Sequence, residues 1–233
     1  MNIKKKLERK GEVAEVERER SRSFDLAFAE ERAYLIKIVG NIESFTSEQA
    51  EALKKSAAIV NAKPVVLAES VKEGVVYTRH GVPTMRAKTF LEHLSGRKVA
   101  VADRGCVKVL IKNVRKIRER KGLSRGELAR ALGVSTEMVR RYEEGRAHPT
   151  EEVARKMVKI LGKEILCSFR FESLKIRKAF IGKGPFEIGI REKKPILVSL
   201  RDDEVRVKNL ERVSEVLDAK PVIVKEGNLE EIL

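Results

Sequence analysis

Two short helical segments follow one another in Arg125-Gly126-Glu127-Leu128-Ala129-Arg130-Ala131-Leu132-Gly133-Val134, continued by Ser135-Thr136-Glu137-Met138-Val139-Arg140-Arg141-Tyr142-Glu143-Glu144. Leu128, Leu132, Val134, Val139 and Tyr142 recur at helical spacing on two short segments and form one buried stripe. Gly133 falls between the segments, at a turn where a positive φ costs nothing only for glycine. Ala129 is the small side chain that lets two helices cross closely.

The caps agree with these boundaries. Ser124 and Glu127 have capping-box spacing, and Ser135 is placed to cap the second helix. Gly126 is a weak point, since glycine in a first turn costs up to ~1 kcal/mol relative to alanine. Upstream, Ile111, Val114 and Ile117 line a preceding helix that ends at Lys121-Gly122. Downstream, Gly145-Arg146-Ala147-His148-Pro149 leads to Thr150, the expected cap of a helix with Val153, Met157, Ile160 and Leu161 inward. Residues 105–165 are therefore expected to form an all-α, five-helix domain.

This series resembles the Cro and phage-repressor (XRE-like) helix-turn-helix family. The resemblance implies that the second helix of the motif enters the major groove of double-stranded DNA. Its solvent-facing candidates are Thr136, Glu137, Met138, Arg140 and Arg141, following Ser135. Arg140 or Arg141 can grip guanine O6 and N7 with two hydrogen bonds, or else a phosphate. Glu137 can accept from cytosine N4, and Met138 can touch a thymine methyl. Ser124 and Arg125, at a helix N-terminus, suit phosphate binding, although Arg125 stands where many relatives carry glutamine. Lys112, Lys116 and Arg146 are general phosphate candidates; for each, a solvated charge is the other reading.

The charge distribution points the same way. The 233-residue chain has 50 Lys and Arg against 35 Asp and Glu, a net of +15 and a pI near 9.9, which suggests a polyanionic partner. Residues 107–165 hold 16 Lys and Arg against 8 Asp and Glu, so a quarter of the chain carries half the excess.

Around this segment the pattern changes to short apolar strands, and it does so twice. Ser23–Glu30 turns into Tyr34–Ile38, and Pro185–Glu192 turns into Ile196–Leu200; both read as β-hairpins. In each half a helical stretch follows, Ser47–Val60 with Ser47 as its cap and then about Val207–Leu217. Each leads to a matching strand, Asn61-Ala62-Lys63-Pro64-Val65-Val66-Leu67 and Asp218-Ala219-Lys220-Pro221-Val222-Ile223-Val224. The helix crosses over to a strand that can pair in parallel, which makes an α/β layer. The first copy continues through Gly74–Tyr77 as a strand and Met85–Leu94 as a helix carrying His93. The expected organisation is an α/β domain over 1–104, the helical domain over 105–165 and a shorter α/β repeat over 166–233.

The strand–strand–helix–strand order, with an acidic residue opening the hairpin, resembles the core of restriction-endonuclease-like folds. The resemblance implies a Mg²⁺ site built from an Asp on the first strand and an acidic-x-Lys element on the second. Asp25 and Lys37 fit, but Leu35 stands at the second acidic position. In the other copy Glu187 and Ser199 take the matching places, with Leu197 again apolar. A hard cation usually needs more than one carboxylate, so both halves are read as inactive and no metal or cofactor is expected. A Mg²⁺-dependent DNA nuclease using Asp25 and Lys37 stays open as the alternative, as does a module that binds DNA through charge alone.

The whole layout resembles a family of archaeal transcriptional regulators. The shared text includes Phe24-Asp25-Leu26, Leu35-Ile36-Lys37-Ile38, Asn41-Ile42-Glu43-Ser44, Glu48-Gln49-Ala50, Gly74-Val75-Val76-Tyr77 and Gly81-Val82-Pro83. That resemblance implies a regulator rather than an enzyme. A homodimer is expected, so that two recognition helices meet half-sites about one helical turn, ~34 Å, apart. The basic Met1–Arg20 segment reads either as an arm on DNA or as a first helix.

Other classes drop out on composition. No apolar run approaches the ~20 residues of a membrane span, and the charged start does not read as a signal peptide, so a cytoplasmic protein is expected. Cys106 and Cys167 are too few and too far apart for a disulfide framework, and two reduced thiols are expected. His80, His93 and His148 show no ligand spacing, and Gly182-Lys183-Gly184-Pro185 lacks the pattern of a phosphate loop. Charged residues make up 36% with a single glutamine, Gln49, a bias that suggests a thermophile.

Overall fold

A computed structural model describes residues 3–17, 23–102, 109–167, 169, 171, 179–181 and 185–224. Helix α1 (Ile3–Leu7) precedes strands β1 (Glu12–Glu15), β2 (Leu26–Ala29) and β3 (Ala33–Val39), helix α2 (Ser47–Ile59) and strand β4 (Lys63–Ala68). Strands β5 (Val75–Arg79) and β6 (Val82–Met85) lead to helix α3 (Ala87–Leu94) and the short strand β7 (Ala100–Val101). Helices α4 (Val114–Arg120), α5 (Arg125–Leu132), α6 (Thr136–Glu143) and α7 (Glu151–Leu161) follow. Strands β8 (Ala179–Ile181), β9 (Ile188–Ile190) and β10 (Ile196–Ser199), helix α8 (Glu204–Val216) and strand β11 (Lys220–Ile223) lie after them.

The chain divides into two compact units. One comprises Met1–Ser70, Arg79–Ala87 and Phe171–Leu233; the other comprises Val71–Thr78 and Lys88–Arg170. The first unit contains a mixed sheet of order β1-β2-β3-β4-β6, in which β1, β2 and β3 run antiparallel and β4 joins β3 in parallel. It also contains a four-stranded sheet of order β11-β10-β9-β8, with β10 and β11 parallel. The order strand, strand, helix, strand thus occurs twice, as β2-β3-α2-β4 and as β9-β10-α8-β11.

The expected split between 1–104 and 166–233 is not how these residues pack. Helix α2 touches β8 and β9 as well as its own β3 and β4, and α8 touches β1 and β2 as well as β10 and β11. Phe24, Leu35 and Leu53 share one core with Phe186, Leu197 and Leu210. The reason lies in α2, where Ser56, Ala57, Ala58 and Ile59 are all buried in succession. Consecutive helical residues point in different directions, so this end of the helix must be covered on several sides. At one contact the fit is close: a Cβ on Gly189 would lie 2.9 Å from Cγ2 of Ile59. Asn209 of α8 accepts from the Glu17 amide at 3.1 Å and donates to the Glu17 carbonyl at 2.8 Å, beyond the end of β1.

Local boundaries differ from expectation at several points. The cap of α2 is Thr46 rather than Ser47: Thr46 Oγ1 accepts from the Gln49 amide at 3.2 Å, and Gln49 Oε1 accepts from the Thr46 amide at 3.0 Å. Met85 ends a strand, and α3 starts at Ala87. His93 does lie on α3, with its ring 5.2 Å from that of Phe169. Of the Met1–Arg20 segment, the described part forms α1 and β1.

In the second unit, α4 to α7 surround a core that includes Val114, Ile117, Leu128, Met157 and Leu161. Among the described residues, four α-helices and a 3-10 turn, Lys163–Ile165, stand where five helices were expected. Ile111 lies outside the first of them. Asn113 adopts a left-handed φ of 55°, which stops α4 from extending backward, and Ile111 instead bridges Leu166 as an isolated β-pair. Thr150 caps α7 as expected, and Ala154 joins Met157 and Leu161 on its buried face, with Val153 and Ile160 only half-buried.

Candidate nucleic-acid interface

Helices α5 and α6 are set by their ends. Ser124 Oγ accepts from the Glu127 amide at 3.1 Å, and Glu127 Oε2 accepts from the Ser124 amide at 2.7 Å, closing the capping box read in the sequence. Gly133 ends α5 at φ 73°, ψ 35°. Nothing lies within 4 Å of where its Cβ would be, so the demand for glycine is purely conformational. Ser135 Oγ then accepts from the Met138 amide at 3.1 Å and starts α6. Leu128, Ala129, Leu132, Val139 and Tyr142 are all buried, and burial pushes the Tyr142 phenol up.

With its inward face fixed, α6 exposes Thr136, Glu137, Arg140 and Arg141. Met138 was expected among them, but it is half-buried and packs against the helical core, one residue before buried Val139. An α-helix with its side chains is roughly 10–12 Å across, and the major groove is roughly 12 Å wide, so this face suits groove entry.

The exposed charges form a network on the helix. Arg140 donates to both oxygens of Glu137 at 2.8 Å and to Glu144 at 3.2 Å. Arg141 donates to Glu137 at 3.4 Å, and Arg146 lies 3.3 Å from Glu144. The hydrogen bonds from Arg140 hold the Glu137 carboxyl down at about 2, and Glu137 in turn raises Arg140. Ser124 is exposed, as are Lys112 and Lys116. The second unit as a whole holds 22 Lys and Arg against 11 Asp and Glu, a net of +11 out of +15.

Arg125 is placed differently from a free phosphate ligand. Its Nε donates to Glu143 at 2.7 Å, and Glu143 also accepts from Arg118 at 2.5 Å. The Glu143 side chain is 1% exposed and that of Arg118 7%, so a buried ion pair ties α4 to α6, with Arg125 of α5 as its outer member. Burial alone would raise the Glu143 carboxyl; the hydrogen bonds from Arg118 and Arg125 outweigh it and hold the group below its ordinary value. This pair was missed in the sequence, yet it leaves a signal. Arg118 stands four residues after Val114 and Glu143 four after Val139, so opposite charges occupy both inward stripes.

The nuclease-like positions in the first unit are occupied by structural bonds. Asp25 is 7% exposed; its Oδ2 accepts from the Ile38 amide at 2.6 Å, and Lys37 Nζ lies 3.4 Å from its Oδ1. Leu35 is fully buried. In the second copy Glu187 Oε2 accepts from the Leu200 amide at 3.0 Å and from Ser199 at 3.4 Å, and Arg206 pairs with its other oxygen. Among the described residues no three His, Cys, Asp or Glu side chains are grouped to hold a metal ion. Cys167 is a free thiol, and Cys106 lies outside the described residues. Among the described residues no helix is long and apolar enough to cross a membrane.

Comparison with known proteins agrees with both parts. Residues 1–99 match the PD-(D/E)XK superfamily domain, and residues 114–166 match the helix-turn-helix family. A protein of Archaeoglobus fulgidus is 36% identical over 160 residues, which is 64% of this chain and 52% of that one. Proteins of Methanocella arvoryzae and Pyrococcus furiosus are each 33% identical, over 64% and 70% of this chain and 48% and 55% of their own lengths. All three are provisionally named HTH-type transcriptional regulatory proteins. The chain spans about half the length of these curated relatives, and no solved structure matches it. The chain thus joins a PD-(D/E)XK superfamily domain to an XRE-type helix-turn-helix domain, and it is similar to archaeal proteins that carry a regulator's name.

Proposed function

We propose that this protein is a cytoplasmic, sequence-specific regulator of transcription that binds double-stranded DNA as a homodimer. The observation that carries the reading is the outer face of α6, where Thr136, Glu137, Arg140 and Arg141 stand exposed on a helix fixed from within by Val139 and Tyr142. In this reading Arg140 and Arg141 reach guanine edges or phosphates and Glu137 accepts from cytosine N4. Ser124, Ser135 and Arg146 contact phosphate, and Arg125 does so from its place beside Glu143. Met138 contributes the edge of its half-buried side chain. Two copies of the chain would place their α6 helices about one helical turn of DNA, ~34 Å, apart.

The flanking repeats, β2-β3-α2-β4 and β9-β10-α8-β11, are proposed to be two copies of one α/β unit that have lost nuclease chemistry and serve as scaffold. Two features support this. Leu35 and Leu197 stand where second carboxylates would be needed, and Asp25 and Glu187 accept backbone amides at corresponding places, Ile38 and Leu200. Selection from random duplexes tests the regulator reading: it predicts a two-fold-related consensus, whereas recovery of unrelated sequences would refute it. The superfamily match of residues 1–99 favours a second reading, a Mg²⁺-dependent nuclease. That reading predicts plasmid cleavage in Mg²⁺ or Mn²⁺ that disappears in Asp25→Ala; the regulator reading predicts none.

A further inference from the structure

Within the second unit a cavity of about 240 Å³ opens between strands β5 and β7 on one side and helix α7 on the other. Its floor is apolar: Val75, Val109, Ala154 and Leu166 line it and are buried. Its rim carries three acids, Glu73, Glu92 and Glu151, and three bases, Lys98, Arg155 and Lys163, and the acids are paired with three further bases outside the lining. Glu73 is paired with Lys88 at 2.5 Å and Glu92 with Arg97 at 3.7 Å. Glu151 is held by Lys72 and by Arg155, each at 2.7 Å. Lys98 and Lys163 also line the cavity, and neither has an ion-pair partner among the described residues. Glu164, the acid whose field Lys98 feels, is already paired with Arg120.

An apolar chamber with a few polar groups at its mouth is the usual form of a small-molecule site. Here the carboxylates are neutralised and two ammonium groups are left over, which favours an anion. An apolar cavity of roughly 150 Å³ takes benzene, so this one has room for about ten non-hydrogen atoms.

We propose that this cavity binds a small organic carboxylate with an apolar body, the body on the Val75–Ala154 floor and the carboxylate drawn to Lys98 and Lys163. None of its lining residues lies on α6, so the site stands or falls separately from the reading of DNA.

Phenylacetate has the right size and charge, and phenylacetamide is its neutral counterpart. Each is titrated into the full chain and followed by amide chemical shifts. Phenylacetate should give saturable shifts at Val75, Val109 and Ala154, and the amide should bind about threefold to tenfold more weakly. Lys98→Gln with Lys163→Gln, both at exposed positions, should weaken phenylacetate by a similar factor, and Val158→Phe should fill the chamber and abolish binding. Equal binding of the acid and the amide, an unchanged double lysine variant, or no saturable shift at these amides would overturn the proposal.

Discussion

Glu137 holds Arg140 through two hydrogen bonds of 2.8 Å, one to each carboxylate oxygen, on the exposed face of α6. In the proposed reading of DNA, Arg140 is therefore engaged before the duplex arrives. A phosphate must compete with Glu137 for it, and the carboxylate itself repels the DNA backbone. Only a base pattern that satisfies both partners, a guanine for Arg140 and a cytosine N4 for Glu137, recovers what is given up.

Removing that carboxylate should therefore loosen discrimination. Glu137→Gln is expected to raise affinity for random duplex severalfold while leaving affinity for a selected operator equal or lower. Parallel titrations of both duplexes at one salt concentration measure the ratio. An unchanged ratio would show that Glu137 takes no part in selection.

Breaking the buried pair should be costly. Glu143→Leu leaves buried Arg118 with the exposed Glu119 carboxylate at 3.3 Å in place of the buried one, which is expected to destabilise the second unit by about 3 kcal/mol. Glu143→Leu combined with Arg118→Met should recover most of this loss. Denaturant unfolding of the single and double variants tests both statements.

The same pair sets a pH dependence. Glu143 lies below its ordinary value of 4.5 in the folded chain, as does Glu151, where bonds from Lys72 and Arg155 outweigh burial. Each group binds its proton more weakly when folded, so its contribution is fully present above about pH 4.5 and is lost as pH falls through the lowered folded value. Thermal melts should show the second unit weakening in that acid range, with a shallower dependence in Glu143→Gln.

Two glycines separate backbone from packing. Gly133→Ala should cost about 1–2 kcal/mol through φ alone, since its Cβ would meet nothing. Gly189→Ala should cost about 1–3 kcal/mol by driving a methyl into Ile59. Reversible melts of each variant provide the values, and Gly189→Ala with Ile59→Ala, which removes both γ carbons, should cost less than the sum of the two single losses.

What was legible in the sequence was what local rules govern. The helical periods, the Ser124–Glu127 box, the Ser135 cap and the turn at Gly133 all depend on residues a few positions apart, and all stand in the structure. Periodicity fails where it cannot see φ: Ile111 keeps the helical spacing of Val114, but left-handed Asn113 separates them. It also fails between adjacent hydroxyls, where the reciprocal bond from Gln49 selects Thr46 over Ser47. The shared core of the two α/β copies was illegible for a different reason. An amphipathic pattern tells which face of a helix is covered and not by which sheet, and only the all-round burial of Ser56–Ile59 hints at two.

Whether α6 reads base sequence through Arg140 and Arg141 is decided by the affinity of Arg140→Ala with Arg141→Ala for a selected operator and for random duplex. Both side chains are exposed and, among the described residues, bonded to acids one turn away, so circular dichroism should show an intact fold. The operator should lose its advantage, and both duplexes should bind with the same weak, steeply salt-dependent affinity. A folded double variant that still prefers the operator by the wild-type ratio would contradict base reading by α6.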